Sequence, residues 1–302
     1  MRALITGGAG FIGSHLAERL VELDHEVIAV DDLSTGRRDN IAHLVEDGAV
    51  ELVHGSILDR ELMDRLISRA DTVFHLAAAV GVKLIVDNPL VGLLTNIHGT
   101  EQVLDSAWRH GARVLLASTS EIYGKNTADA LSENDDRILG SPLKSRWSYS
   151  EAKAIDESLA FTYWRERGLA AVIVRLFNTV GPRQTGRYGM VIPRFVDQAL
   201  RGEPITVYGD GKQTRCFCYV GDVVGALVEI VDRPEAYGQA FNIGRPDEVS
   251  IQELAERVIA LTGSASPIRY IAYEDAYGEG FEDMERRMPD ITGIQGLIGF
   301  DP

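Results

Sequence analysis

The tightest constraint on this chain lies at its N-terminus. An apolar run, Ala3–Thr6, leads into Gly7-Gly8-Ala9-Gly10-Phe11-Ile12-Gly13, and a helical pattern over Ser14–Leu23 follows. In such a loop Gly7 allows the tight turn, Gly10 lets backbone approach a pyrophosphate, and Gly13 lets helix pack on strand. The helix N-terminus then offers unpaired N–H groups to phosphate oxygens. A second apolar run, Val27–Val30, ends at Asp31. A carboxylate there accepts both ribose hydroxyls of a dinucleotide and repels a 2′-phosphate. Arg37 and Arg38 argue the other way, since either offers that phosphate a cation. Asp31 is the better placed, so NAD is expected rather than NADP. A glycine triplet alone is weak evidence and also suits a plain βα turn; strand before, helix after and acid beyond make it specific.

Apolar runs continue at Val50–Val53, Thr72–Leu76, Arg113–Ala117 and Ala171–Leu176, rich in Val, Ile and Leu and without clean alternation. That is the pattern of parallel strands covered on both faces. Between them lie helical patterns, one carrying Thr100, Val103, Leu104, Ala107 and Trp108 on one face and ending at Gly111. The expected fold class is α/β, a doubly wound parallel sheet of Rossmann type. After residue 177 glycines and short strands (Ile205–Tyr208, Ala240–Ile243) break the rhythm, while Val220–Val231 reads as a helix returning to the sheet. The predicted division is a dinucleotide-binding domain of residues 1–176 plus 220–238, interleaved with a smaller substrate domain of residues 177–219 plus 239–302. Asp129–Arg137 reads as a polar, solvated loop in a position to act as a lid.

With 302 residues and 45% apolar content the chain can bury a sizeable core, and its net charge of −15 speaks against nucleic acid or an anionic membrane surface as partner. No apolar run reaches the length of a membrane span, and the apolar start lacks a cleavage-like region, so a cytoplasmic location is expected. Cys216 and Cys218 stand too close for a relaxed disulfide and are too few for a zinc site. His15 and His75 show no ligand spacing, so no metal is expected.

Strand Arg113–Ala117 runs into Ser118-Thr119-Ser120-Glu121-Ile122-Tyr123-Gly124, and Tyr149-Ser150-Glu151-Ala152-Lys153 comes later. On a helix Tyr149 and Lys153 share a face one turn apart. An ammonium and a nicotinamide cation near a phenol draw its pKa toward neutrality, so that it can take a hydroxyl proton as hydride leaves. Y-x-x-x-K alone is common; behind a glycine loop and a strand-end Thr/Ser cluster it is specific.

At these residues the chain resembles the extended short-chain dehydrogenase/reductase family, in particular its nucleotide-sugar epimerases, dehydratases and decarboxylases. The likeness spans nearly the whole chain. It rests on Thr6–Gly13, Asp31, His75-Leu76-Ala77-Ala78, Thr119, Tyr149 and Lys153, then on Arg175-Leu176-Phe177-Asn178, Gly181-Pro182-Arg183 and Tyr208–Arg215. It implies a UDP-sugar oxidised at C4 by NAD. The implied cofactor contacts are Gly7, Gly10, Phe11, Ile12, Gly13, Asp31, Ser34, Gly36, Ser56, Ile57, Leu76, Ala77, Ala78, Tyr149 and Lys153. The implied substrate contacts are Lys83, Ser120, Asn178, Arg183, Tyr208, Arg215 and Arg287, with Thr119, Glu121, Tyr149, Lys153 and Arg215 as catalytic groups. Relatives pair through helices equivalent to 89–110 and 149–167, which implies a homodimer.

Within that family, 4,6-dehydratases carry Asp-Glu after the threonine, the Asp expelling water. This chain has Ser120-Glu121, and Thr-Ser-Glu is the pattern of the UDP-glucuronate decarboxylases. Arg146-Trp147-Ser148, Tyr277–Phe281 and Arg287-Met288-Pro289 resemble bacterial members of that group. Ala77–Lys83 reads closer to epimerases. The expected reaction is C4 oxidation of UDP-glucuronate and loss of CO₂ from C5, giving a UDP-4-keto-pentose, UDP-xylose or both. The alternatives are a 4-epimerase, a 4,6-dehydratase and an inactive nucleotide sensor. Glu121 is read as orienting the substrate carboxylate, as handling the C5 proton, or as a structural carboxylate. Arg215 is read as stabilising the enolate, donating that proton, or gripping a phosphate alone.

Overall fold

The computed structural model describes all residues except 80–88, 187–189, 273–274, 276–283 and 285. Seven strands form the central sheet: β1 (Arg2–Thr6), β2 (Glu26–Asp31), β3 (Val50–His54), β4 (Thr72–His75), β5 (Arg113–Thr119), β6 (Ala171–Leu176) and β11 (Ala240–Ile243), in the order β11-β6-β5-β4-β1-β2-β3. Every pairing in it is parallel. Alternate residues of these strands feed two separate cores. Ala3, Ile5, Phe74 and Leu115 face helices Phe11–Glu22 and Val220–Ile230. Leu4, Val73, Val114 and Leu116 face helices Arg60–Ile67, Pro89–His110 and Ser148–Arg167. Burial on both faces explains the unbroken apolar runs. The order turns away from β1 in both directions, so the crevice beyond the carboxyl ends of β1 and β4 is the switch point where ligands sit in such sheets.

The smaller unit is built from three two-stranded ribbons, β7 (Thr179–Val180) with β10 (Cys218–Tyr219), β8 (Ile205–Tyr208) with β13 (Ile268–Ile271), and β9 (Thr214–Cys216) with β12 (Glu248–Ser250). A third core under helices Val191–Leu200 and Ile251–Thr262 holds it together through Phe195, Ile205, Val207 and Leu254.

Three sequence expectations change. Residues 240–243, assigned to the smaller domain, are the seventh strand of the main sheet, paired with β6, and Ile291, Ile294 and Phe300 join the first core beside them. A four-residue apolar run looks the same in either sheet, so only the tertiary pairing places it. The first helix begins at Phe11, with Gly10 as its extended N-cap, and Gly13 therefore lies inside its first turn. The 129–137 loop is tied down: Leu131 accepts from Asp290 N–H at 2.9 Å and donates to the Met288 carbonyl at 2.8 Å, while Asp129 pairs with Arg286 at 2.8 Å.

Candidate active site

The cofactor end is made mainly of backbone. Gly7 takes φ +71°, and its N–H donates to the Val30 carbonyl at 2.8 Å, folding the loop across the end of β2. A Cβ at Gly13 would sit 2.2 Å from the Gly7 carbonyl oxygen, so only glycine lets the helix start this close to the strand. No side chain caps this helix, which leaves its first N–H groups to a phosphate. Phe11 and Ile12 occupy its first turn. Asp31 is buried; its carboxylate accepts from Ala9 N–H at 3.0 Å and Leu33 N–H at 2.8 Å. Burial pushes its pKa up, and the two backbone donors hold it back. A Cβ at Gly36 would lie 2.7 Å from both carboxylate oxygens, so the glycine keeps that face open. Arg37 turns its guanidinium toward Asp39 at 3.8 Å and is largely exposed. Ser34 donates its hydroxyl to Asp32 at 2.6 Å, Ser56 accepts from Leu58 N–H at 3.2 Å, and Ile57 is buried against Gly99.

Leu76, Ala77 and Ala78 follow β4 at the switch point. Ala77 comes within 3.1 Å of where a Gly7 Cβ would be, and its N–H donates to the Thr6 hydroxyl at 3.1 Å. These features, a glycine cradle that a Cβ would fill and a buried carboxylate facing an open glycine, fit a dinucleotide.

The catalytic end lies at the carboxyl end of β5. Thr119 caps the next turn by accepting from Glu121 N–H at 3.1 Å, which leaves its hydroxyl hydrogen for another acceptor. Tyr149 and Lys153 lie on the buried face of helix Ser148–Arg167 together with Asp156 and Glu157. Burial, then the charges of Glu121 and Asp156, push the Tyr149 phenol above its ordinary value. The Lys153 ammonium is paired with Asp156 at 3.1 Å, and the lowering expected from the sequence also needs the nicotinamide cation beside the phenol. Glu157 is occupied elsewhere, accepting from Ser118 at 2.5 Å and from Arg175 at 2.8 and 2.9 Å, which fastens the helix to β5 and β6.

Glu121 is held by two arginines, Arg146 at 2.6 Å and Arg287 at 3.5 Å. Burial works against its charge, but the two guanidinium groups outweigh it and keep the carboxyl below its usual range. It is an anion at neutral pH and no proton donor in this state. Arg287 also donates to Asn178 at 3.0 Å, and Asn178 donates to the Cys216 carbonyl at 2.8 Å. A connected polar chain thus runs from β9 through Asn178 and Arg287 to Glu121 and Arg146. Arg146 was not among the predicted site residues; its place three residues before Tyr149 was the available signal. Trp147, fully buried, lies under its guanidinium at 5.3 Å.

Other predicted residues sit as follows. Ser120 is buried. Arg215 is buried on β9 and donates to the Thr214 carbonyl at 2.8 Å. Arg183, at φ +67°, donates to Ser14 at 3.2 Å and pairs with Glu18, clasping the smaller unit to the cofactor helix. Tyr208 carries the Arg194 guanidinium 3.9 Å from its ring centre. Lys83 and Tyr277–Phe281 lie outside the described residues. His75, expected to be structural, is buried, and its pKa falls to about 3 through burial and the nearby Lys153 charge. Among the described residues no group of His, Cys, Asp and Glu has the makings of a metal site.

Comparison with known proteins agrees with this geometry. Residues 3–244 match the profile of the NAD dependent epimerase/dehydratase family. The chain is 45% identical over its full length to a UDP-N-acetyl-alpha-D-glucosaminuronate decarboxylase of Bacillus cytotoxicus, covering 92% of that protein. It is 38% identical to UDP-glucuronic acid decarboxylase 1 of Xenopus tropicalis, again over the full chain and 68% of the relative. Among solved structures, a UDP-glucose 4-epimerase from Thermotoga maritima with UDP-glucose superposes with TM-score 0.90 at 31% identity, covering 100% of this chain and 94% of that one. A UDP-glucuronic acid 4-epimerase from Bacillus cereus, in complex with UDP-glucuronic acid and NAD, gives TM-score 0.88 at 27% identity with the same coverage. With its glycine cradle, its Thr–Tyr–Lys set and these likenesses, the chain belongs to the NAD dependent epimerase/dehydratase family.

Proposed function

We propose that this protein is an NAD-dependent UDP-glucuronate decarboxylase, a lyase that oxidises the sugar at C4 and releases CO₂ from C5. The observation that carries the reading is the ionised Glu121 set between Arg146 and Arg287, on the same strand end as Thr119. A 4-epimerase of a neutral sugar needs no such cluster, since inverting a keto sugar requires neither extra acid nor extra cation. Two curated relatives of high identity are named as uronate decarboxylases, which supports the same choice.

Gly7, Gly10, Gly13 and the first turn at Phe11 and Ile12 would hold the pyrophosphate, Asp31 and Gly36 the adenosine ribose, and Tyr149 and Lys153 the nicotinamide half. Bound NAD supplies the hydride acceptor for C4. Thr119 hydrogen-bonds the sugar hydroxyl and Tyr149 removes its proton. The new C4 ketone makes the C5 carboxylate that of a β-keto acid. The bond from C5 to the carboxylate carbon then breaks, and its electron pair passes into an enolate on the C4 oxygen. Arg146 and Arg287 supply positive charge beside the carboxylate and then the enolate, Glu121 holding the two guanidinium groups in place. A proton returns to C5, giving the UDP-4-keto-pentose, and hydride return gives UDP-xylose. Asn178, Arg183, Tyr208, Arg215, Ser120 and Lys83 are proposed substrate contacts.

The apolar side chains exposed on helices Pro89–His110 and Ser148–Arg167, among them Leu90, Val91, Leu94, Phe161 and Trp164, support a homodimer through these helices. No helix among the described residues is long and apolar enough to cross a membrane. The buried free thiols Cys216 and Cys218 suit a reducing, cytoplasmic setting.

The test is incubation with NAD and UDP-glucuronate, or separately its 2-acetamido analogue, followed by product mass. Loss of CO₂ from UDP-glucuronate is expected. Unchanged mass with inverted C4 would assign the epimerase reaction, and decarboxylation of the acetamido sugar alone would move the substrate.

A further inference from the structure

Lys153 is a buried cation, 2% exposed, whose counter-charge is Asp156, fully buried one turn on. A lysine in a dry site keeps its proton only beside an anion, so the question is what holds the anion. Behind it runs a column of buried polar groups that ends at the cofactor loop. Thr100, on helix Pro89–His110, lies against the Asp156 carboxylate. His75 Nε2 is 3.2 Å from the Thr100 hydroxyl, His75 Nδ1 is 2.8 Å from the Thr6 hydroxyl, and Thr6 accepts the Ala77 N–H at 3.1 Å.

The charge on Asp156 orders the hydrogens of this column. Burial pushes the Asp156 carboxyl up, while the Lys153 ammonium and then the Thr100 hydroxyl beside it work the other way; with Asp156 ionised by its pairing to Lys153, the Thr100 hydroxyl hydrogen turns toward it. Thr100 must then accept from His75 Nε2–H, so Nδ1 is bare and accepts from Thr6, whose remaining lone pairs receive Ala77 N–H. Only neutral His75 satisfies this, in keeping with its buried state. The column stops at a backbone amide and reaches no solvent, so it orients groups and carries no proton away.

We propose that Asp156 is a positioning residue for the oxidation step: it holds the Lys153 ammonium in place, backed by the Thr100, His75 and Thr6 groups that run on to the glycine loop. The inference rests on the proposed use of Tyr149 and Lys153. The charged groups facing the pair are Glu157 on the same helix, turned to Arg175, His75 from β4, and Glu121, which acts on Tyr149.

The test compares Asp156→Asn with the wild type in NAD affinity by calorimetry and in the pH profile of kcat. Asparagine keeps the shape and removes the charge. Expected are NAD binding weakened by about tenfold, a plateau kcat lowered by about tenfold or more, and an acid limb moved to lower pH, because an anion beside the Tyr149 base is gone. A folded Asp156→Asn protein with wild-type NAD affinity and an unmoved acid limb would overturn the proposal, as would lowered thermal stability with both readouts unchanged. If that variant does not fold, Thr100→Val removes the hydroxyl beside Asp156 without changing shape, and the same shifts, smaller, are expected; wild-type values there would overturn the proposal equally. Should wild-type protein fail to act on UDP-glucuronate, the substrate reading falls, while the NAD-affinity comparison still decides the role of Asp156.

Discussion

The two ends of the site are built differently. The cofactor end centres on one stretch of chain, Thr6 to Asp31, made mainly of backbone groups, and its geometry is enforced by contacts as short as a would-be Gly13 Cβ at 2.2 Å from Gly7 O. What we propose as the uronate end is a cluster of side chains from separate segments: Glu121 after β5, Arg146 before helix Ser148–Arg167, and Arg287 near the C-terminus. The first is shaped mainly by sterics, with the Asp31 carboxylate as its charged group. The second is held by charge and has no local shape. Damage to the first should therefore appear as lost cofactor, and damage to the second as lost chemistry at C5 with cofactor retained.

The largest expected effect lies where the two ends meet. Tyr149→Phe should lower the rate of C4 oxidation by at least about 10²–10⁴-fold, since the base is removed, while the NAD content of the purified protein stays near that of the wild type. Single-turnover absorbance of the reduced cofactor reads this directly, and an active variant would require another base.

Glu121→Gln should lower CO₂ release by about a hundredfold, because the two arginines lose the charge that aligns them, yet leave NAD affinity unchanged. The same substitution has a signature in stability. Glu121 is held below its ordinary value in the folded protein, so its pair with the arginines stabilises the fold above the ordinary carboxylate range. That contribution is lost as pH falls through the depressed folded value. Denaturant curves of wild type and Glu121→Gln should therefore differ at neutral pH and converge on acidification. Curves that stay parallel would mean the pair adds nothing to folding.

Gly13→Ala tests the opposite end. Overpacking against a backbone carbonyl typically costs ~1–3 kcal/mol, so NAD affinity should fall by about ten- to a hundredfold, with decarboxylation per bound cofactor preserved. A drop in that specific rate would show the two ends to be less separable than their construction implies. The smallest effect is Asp31→Ser, which removes a charge that opposes a 2′-phosphate. The preference for NAD over NADP, measured as a ratio of affinities, should shrink by about tenfold.

The same contrast explains what was legible in advance. The parallel sheet, its strand bounds to within a residue or two, the glycine loop, Asp31 and the Tyr149–Lys153 pair could all be read from the sequence. Each is a short-range pattern: a buried run, a glycine spacing, a helical i,i+4 step. Asp156 obeyed the same rule, at i+3 from Lys153 and i+7 from Tyr149 on one helix face, but an aspartate there looks like any solvated charge until the helix is seen to bury it. The place of 240–243 in the main sheet, the anchoring of the 129–137 loop and the meeting of Arg287 with Glu121 had no local signature.

By itself, then, the sequence determined the α/β class, the glycine loop and the shared helix face of Tyr149 and Lys153, because these follow from residue periodicity and from the steric freedom of glycine over a few adjacent positions. Tertiary structure alone decided which arginines meet Glu121, that Lys153 is paired with Asp156, and that burial, with the charges of Glu121 and Asp156, holds the Tyr149 phenol high. Charge interactions act through space and depend on burial, so residues far apart in the chain set each other's ionisation only once the fold has brought them within a few ångströms and excluded water.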